Sequence, residues 1–222
     1  MDSLRACIFD LDGVLVDTAK YHFLAWKETA DSLNIPFDHH DNEQLKGVGR
    51  RESLLFILKK GNKNLPEVEI EKLLDTKNTL YLSYVNAMKE DEVLPGVLEF
   101  LYELKNNHIK IGLGSASKNA KLILDKCHIS NYFQVIVDGT NINKSKPDPE
   151  VFLLGAEALG VSADNVVVFE DALSGIEAAK SAGSIAIGVG DAKILMNAHA
   201  VIPSFPGFNL ARLHAILQSL KN

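Results

Sequence analysis

The chain has 222 residues, 46% of them hydrophobic and 23% charged, which excludes a disordered, collagen-like or disulfide-stapled chain. Its net charge of −6, from 23 basic and 29 acidic residues, speaks against a general nucleic-acid binder but leaves room for a local basic cluster around a small anion. Cys7 and Cys127 have no metal-type spacing and read as two buried thiols in a reducing compartment. The first ten residues lack the apolar run of a secretory leader, and no stretch approaches the roughly 18 apolar residues of a membrane span. The expectation is a soluble, cytoplasmic protein.

An Ile- and Phe-containing run at 6–9 predicts a strand, and almost a hundred residues without another strand follow it. That interval carries helical patterns at 19–33, 52–60 and 67–89, the third with Ile70, Leu73, Leu74, Tyr81, Tyr84 and Met88 on one face. Beyond a polar stretch ending in Pro95-Gly96, a strand at 109–113 leads to a helix at 120–127 and a strand at 133–137. A helix at 149–159, a strand at 166–169, a helix at 174–182 and a strand at 185–189 continue the rhythm, with a weaker strand near 200–202. Unalternated strands joined by helices describe an α/β protein with a Rossmann-like parallel sheet covered on both faces. The early helices form an all-helical insert, giving a core of residues 1–16 and 93–222 and a helical domain of 17–92.

Ligands of open parallel sheets bind outside the carboxyl ends of the strands. Four of the five strong runs end there in polar chemistry: Asp10-Leu11-Asp12, Ser115-Ala116-Ser117, Asp138 and Glu170-Asp171. Carboxylates held close repel one another, raising their pKa values or recruiting a hard divalent cation such as Mg²⁺, which keeps room for a phosphate. Asp-Leu-Asp-Gly alone reads equally well as a strand-ending turn. The second acidic pair, the Ser-rich end and the cation of Lys146-Pro147 together favour the functional reading. Ser115, Ala116 and Ser117 before a helix make an anion site, a role compatible with N-capping by Ser115. The stretch 109–138 also approaches a dinucleotide fingerprint, with Gly112, Gly114 and a terminal Asp138, but Ser117 replaces the third Gly and both acidic pairs stay unexplained. A Walker-type phosphate loop is absent from the sequence.

Phe9-Asp10-Leu11-Asp12-Gly13-Val14, Ser115, Lys146-Pro147 and Glu170-Asp171 together resemble the four motifs of the haloacid dehalogenase superfamily of phosphotransferases, in order and spacing over the whole chain. The insert resembles that family's helical cap. The resemblance implies Asp10 as the nucleophile, forming an aspartyl phosphate, and Asp12 as general acid and base. It implies Mg²⁺ on Asp10, the Asp12 backbone carbonyl and Asp171, with Glu170 close, and Ser115 and Lys146 on the oxygens of the transferring group. The cap segment 42–50 and the core segment 115–119 are similar to members that move a phosphoryl group between C1 and C6 of glucose. What this implies is a phosphorylated hexose substrate, with β-D-glucose 1-phosphate and glucose 6-phosphate interconverted through glucose 1,6-bisphosphate. Arg50 then anchors the distal phosphate together with Ser117, Lys118 and Asn119, and Leu11, Lys46, Gly47, Val48, Ser53 and Ala116 are further substrate contacts.

Lys77 stands on the apolar stripe of its helix where Leu or Ile is expected, either snorkelling or facing the interdomain groove. His22 and Trp26, one helical turn apart, line that groove or simply pack. Gly49 and Ala172 depart from the family pattern, which has Ser at both places. A sugar-phosphate phosphatase of the same fold is the alternative enzyme, and a non-catalytic phospho-receiver the alternative class, although a receiver has no use for the helical insert. The expected partners are a sugar phosphate and neither nucleic acid nor membrane, for a monomeric protein.

Overall fold

The computed structural model describes residues 4–221, apart from the side chain of Glu90. Residues 1–3, which begin the stretch read above for a leader, lie outside the described residues. The strands are β1 (Ala6–Phe9), β2 (Lys110–Gly114), β3 (Val135–Val137), β4 (Val166–Glu170), β5 (Ile185–Val189) and β6 (Ala200–Ile202). They pair in parallel in the order β3-β2-β1-β4-β5-β6. The order reverses direction between β1 and β4, the point where an open sheet leaves a crevice at its carboxyl edge. Period-2 alternation divides the two buried faces. Cys7 and Phe9 of β1 join Val167 and Phe169 of β4 on one side, and Ala6 and Ile8 join Val166 and Val168 on the other. On the first face Phe9 stacks on Phe169 at 4.9 Å, with Phe100, Phe205 and Phe208 packed around them.

The helical interval holds α1 (Ala19–Ser32), α2 (His39–Gln44), α3 (Arg50–Lys60) and α4 (Glu67–Asn86), and α5 (Val97–Asn106) leads into β2. Trp26, Ala30, Ile35, Phe37, Leu54, Ile57 and Leu74 form a hydrophobic cluster of their own there. The base of this arm is stitched to the sheet, because Ala25, Tyr81, Val85 and Met88 belong to the same cluster as Phe9. Two chain crossings meet at that base: Asp17 N donates to Glu92 O at 3.0 Å, and Leu94 N donates to Leu15 O at 2.9 Å.

The remaining helices, α6 (Ala120–Lys126), α7 (Glu150–Ala158), α8 (Leu173–Ser181) and α9 (Leu210–Ser219), cover the sheet. Three helices escape the sequence reading. α2 is short and begins with a capping box, Asp38 accepting from Asp41 N while Asp41 accepts from Asp38 N. α5 and α9 bury Phe100, Leu101 and Leu104, and Leu210, Leu213 and Leu217, at ordinary helical spacing. α4 ends at Asn86, so Met88 is buried from beyond the helix, and Val85 takes the place on its inner face expected of Tyr84. Among the described residues no helix is long and apolar enough to cross a membrane. Cys7 and Cys127 are free and buried, and burial raises both thiols, that of Cys127 to about 11.

Candidate active site

The carboxyl ends of β1, β2 and β4 converge on a cleft of about 390 Å³ roofed by α1, α3 and α4. Asp10 follows β1, and its Oδ1 accepts from Lys146 Nζ at 2.5 Å. The same ammonium donates to Glu170 Oε2 at 2.9 Å and to the Gly114 carbonyl at 2.9 Å. All three of its protons are thereby satisfied in a side chain with no exposure. Burial opposes the charge of Lys146, but Asp10 and Glu170 outweigh it and hold the lysine above its ordinary range. Glu170 is pushed up by its own burial and by Asp10, and Lys146 only partly offsets this. The bond between Lys146 and Pro147 is cis.

Carboxylate oxygens of Asp10, Glu170 and Asp171 lie within 4.8 Å of one another. Asp171 is raised to about 6, mainly by burial and against the pull of Lys46, which approaches it at 3.2 Å. The packing is tight. A Cβ on Gly13, at φ +80°, falls 2.3 Å from an Asp171 oxygen, and one on Gly175 falls 2.0 Å from the Glu170 carboxyl carbon. Three hard oxygen donors with more negative charge than their neighbours neutralise fit a small divalent cation. The Asp12 carboxylate is not part of this cluster. It accepts from Thr18 Oγ1 and stands 3.8 Å from His22 Nε2, so any part of Asp12 in metal binding falls to its backbone.

Asp12 is raised to about 8 by burial first and by Asp10 and Asp171 next, with Lys77 and Lys146 opposing. That upward shift favours the protonated form, the state a general acid requires. Lys77 Nζ lies within hydrogen-bond distance of His22 Nδ1, at 3.0 Å, while His22 Nε2 is buried without a hydrogen-bond partner among the described residues. Burial together with Lys77 and Arg50 keeps His22 well below its usual range, hence neutral. Lys77 is 2% exposed, with its ammonium 4.6 Å from the ring centres of both Trp26 and Tyr81. The apolar position read from sequence thus faces the groove, and the snorkelling alternative is excluded.

Burial lowers Lys77 to about 7, with Arg50 adding and Asp12 opposing. A lysine with a depressed folded pKa costs stability wherever the unfolded chain would hold the extra proton. The penalty is full below about pH 7 and fades as pH rises towards the unfolded value of 10.5. Lys77→Met is therefore expected to stabilise the fold at pH 6.5 by up to about 5 kcal/mol and by much less at pH 9.5. Urea unfolding at the two pH values measures the difference, and equal gains at both would refute a charge-burial cost.

In the roof of the cleft Arg50 opens α3, where a cation opposes the helix dipole and brings its charge beside free backbone N–H groups. Burial lowers the guanidinium, and Asp75 partly restores it. Lys118, Ser117, Asn119 and Ala116 face it from the β2–α6 loop, and Lys46, Gly47, Val48 and Ser53 complete the roof. Gly47 sits at φ +70° against α8, where a Cβ falls 2.7 Å from Ser174 Oγ, and that hydroxyl donates to the Lys46 carbonyl at 3.1 Å.

Two readings need correction. Ser115 does not open a helix: α6 begins at Ala120, and Ser115 Oγ instead accepts from Ser117 N at 3.1 Å in a hydroxyl turn. Leu11 contributes no side chain to the cleft, being fully buried in the core on Asp10's far side. Lys146 and Glu170 lie beneath the cleft floor. The dinucleotide fingerprint, set aside on sequence, has no counterpart in the site. Gly112 and Gly114 lie inside β2 against Leu159 and Phe152, and Asp138 Oδ1 is taken by Thr140 N and Oγ1. Sequence reasoning also missed Thr18, Asp75, Asn78 and Ser145. Only Ser145, next to Lys146, carried a usable signal.

A model of the haloacid dehalogenase-like hydrolase family matches residues 4–183. The chain belongs to that family. Within it, a β-phosphoglucomutase of Bacillus subtilis is 45% identical over 95% of this chain and 94% of its own length. A phosphorylated carbohydrates phosphatase of Thermotoga maritima is 34% identical over 89% of this chain and 93% of its own. A crystal structure of β-phosphoglucomutase from Clostridium difficile superimposes with a TM-score of 0.94 at 39% identity, covering 97% of this chain and 98% of that one.

Proposed function

We propose that this chain interconverts β-D-glucose 1-phosphate and glucose 6-phosphate through an aspartyl phosphate and a glucose 1,6-bisphosphate intermediate. The single observation that carries the reading is one cleft lined both by the paired Asp10 and Asp12 and by a second, basic group, Arg50 and Lys118 with Asn119. A bisphosphate needs both groups, whereas release of phosphate to water needs only the first. The extent of likeness to the B. subtilis β-phosphoglucomutase supports the same reading.

Asp10 attacks phosphorus with the oxygen not engaged by Lys146, whose charge offsets the repulsion between carboxylate and phosphate. Asp12 gives its proton to the departing sugar oxygen in one half-reaction and takes one from a sugar hydroxyl in the other, worth about 10²–10⁴ in rate. The Thr18 hydroxyl holds that carboxyl in place. Ser115, 1% exposed at the end of β2, and the backbone beside it receive the equatorial oxygens. Asp10, Glu170 and Asp171, with the Asp12 carbonyl, would hold Mg²⁺, which when bound supplies further positive charge at the phosphoryl oxygens. The helical arm, residues 17–92 in this reading, is the cap that excludes water from the phosphoenzyme. The buried, unpaired thiols accord with work in the cytoplasm.

The test pairs two assays on one preparation: isomerisation with catalytic bisphosphate present, and phosphate release from glucose 6-phosphate. Isomerisation is expected to dominate, and fast phosphate release without isomerisation would move the chain to the phosphatases. Arg50→Ala is expected to cut isomerisation by about 10²-fold or more, the loss of a charge-assisted bidentate contact, while sparing hydrolysis of a small aryl phosphate.

A further inference from the structure

Asn119 is the N-cap residue of α6, with φ −108° and ψ 10°, yet its side chain caps nothing. Asn is favoured at such positions because its side-chain oxygen accepts from the first turn of its own helix. Here the amide turns away and donates Nδ2 to Asn78 Oδ1 at 3.0 Å, across 41 positions of sequence. Asn78 is equally out of character. It sits in the middle of α4, where Asn is a poor helix former, one residue after Lys77. Two side chains that each depart from local preference meet over the cleft, and both line it.

The contact also ends a chain of hydrogen bonds. Ser117 N donates to Ser115 Oγ at 3.1 Å, and Asn119 N donates to Ser117 Oγ at 3.2 Å. The loop from the end of β2 to Asn119 is thus held by its own hydroxyls, and its last member is tied to the helical arm. On the opposite wall the arm is tied down by Lys46 on Asp171 and by the Ser174 bond to the Lys46 carbonyl. The arm therefore meets the sheet edge at two separated points, one beside the carboxylates and one beside the distal basic group.

We propose that Asn78 is a positioning residue: from α4 it holds the Asn119 amide across the cleft, so that the phosphate anchor at 117–119 is complete only while the helical arm lies against the sheet. One N–H of the Asn119 amide goes to Asn78 and the other is left for an oxygen of the ligand, alongside the Lys118 ammonium. Without Asn78 the side chain is free to turn back and cap α6, which withdraws that donor. Closure of the arm and grip on the non-reacting phosphate are thereby coupled. The coupling rests on the mutase reading above, which puts a second phosphate at this end.

Two readouts test it, one independent of catalysis. In the ligand-free chain, Asn78→Ala is expected to speed hydrogen exchange of the amides at 117–120 by about threefold or more, and Asn78→Asp, which keeps the acceptor, to restore protection. In steady state, Asn78→Ala is expected to raise the KM for glucose 1-phosphate about 5–20-fold with kcat within about twofold. The double variant Asn78→Ala/Asn119→Ala should match Asn119→Ala alone, because residues acting through one another do not add. Unchanged exchange in Asn78→Ala, or KM effects that multiply in the double variant, would overturn the proposal. A parent chain that fails to isomerise hexose phosphates would undo the mutase reading instead, and the exchange experiment decides the contact in either case.

Discussion

Asp10→Asn is expected to reduce hexose-phosphate turnover by at least about 10⁴-fold, the scale set by removing a covalent nucleophile. The substitution is nearly isosteric, and Lys146 keeps two of its three acceptors, Glu170 and the Gly114 carbonyl. The fold has little to lose. Asp10 raises Asp12, Glu170 and Asp171 by its charge, so neutralising it relieves a crowd of carboxylates rather than exposing one. Tm is expected to hold or rise, and the phosphoenzyme expected of the parent in intact-protein mass spectra after brief exposure to glucose 1,6-bisphosphate should be absent. Near-normal turnover in this variant would sink the covalent mechanism. A loss of turnover accompanied by a falling Tm would assign Asp10 a structural part that its surroundings argue against.

The catalytic sheet was legible because buried parallel strands are written as unbroken apolar runs, and β1, β5 and β6 begin and end where those runs do. Asp10, Ser115 and Glu170 were legible for a related reason. A polar residue directly after such a run can only emerge at the carboxyl edge, and the reversal of strand order between β1 and β4 brings two of those ends side by side. The depth of Lys146 was not legible. Nothing in its loop announces that its ammonium reaches under the cleft floor to stand over the Phe152 ring, 4.9 Å from the ring centre. Lys77 was legible as an anomaly, since a charge on an apolar stripe demands a partner, but the partner His22 lies 55 positions away on another helix. Asn78 was invisible, because a single Asn on a helix has no pattern until Asn119 is placed opposite it. Long-range pairs of this kind arise from how the helical arm leans on the sheet, a relation that spacing along the chain does not encode.

Lys146→Met is expected to be the most damaging single change to stability in the site, at about 3–5 kcal/mol at pH 7.5, the cost of leaving a buried charge without its partner. The side chain is wholly buried and bridges Asp10 and Glu170, themselves 6% and 0% exposed. Methionine fills the volume and keeps the contact with Phe152, so cavity formation adds little. What remains is electrostatic: two carboxylates face each other with no cation between them. Glu170 already stands above its usual range, and without Lys146 it rises further. A carboxyl whose folded pKa exceeds its unfolded value binds more protons in the folded state, so the fold loses stability as pH rises between the two. The deficit of Lys146→Met relative to the parent should therefore be smaller at pH 5 than at pH 7.5, as urea unfolding at each pH would measure. Lys146→Met/Glu170→Gln removes one of the opposed charges and should recover most of the lost stability at pH 7.5. It should not recover turnover, because Asp10 still lacks the cation that lets it approach a phosphate. If the double variant is no more stable than Lys146→Met, the loss comes from packing, and the buried charge balance proposed for this site is wrong.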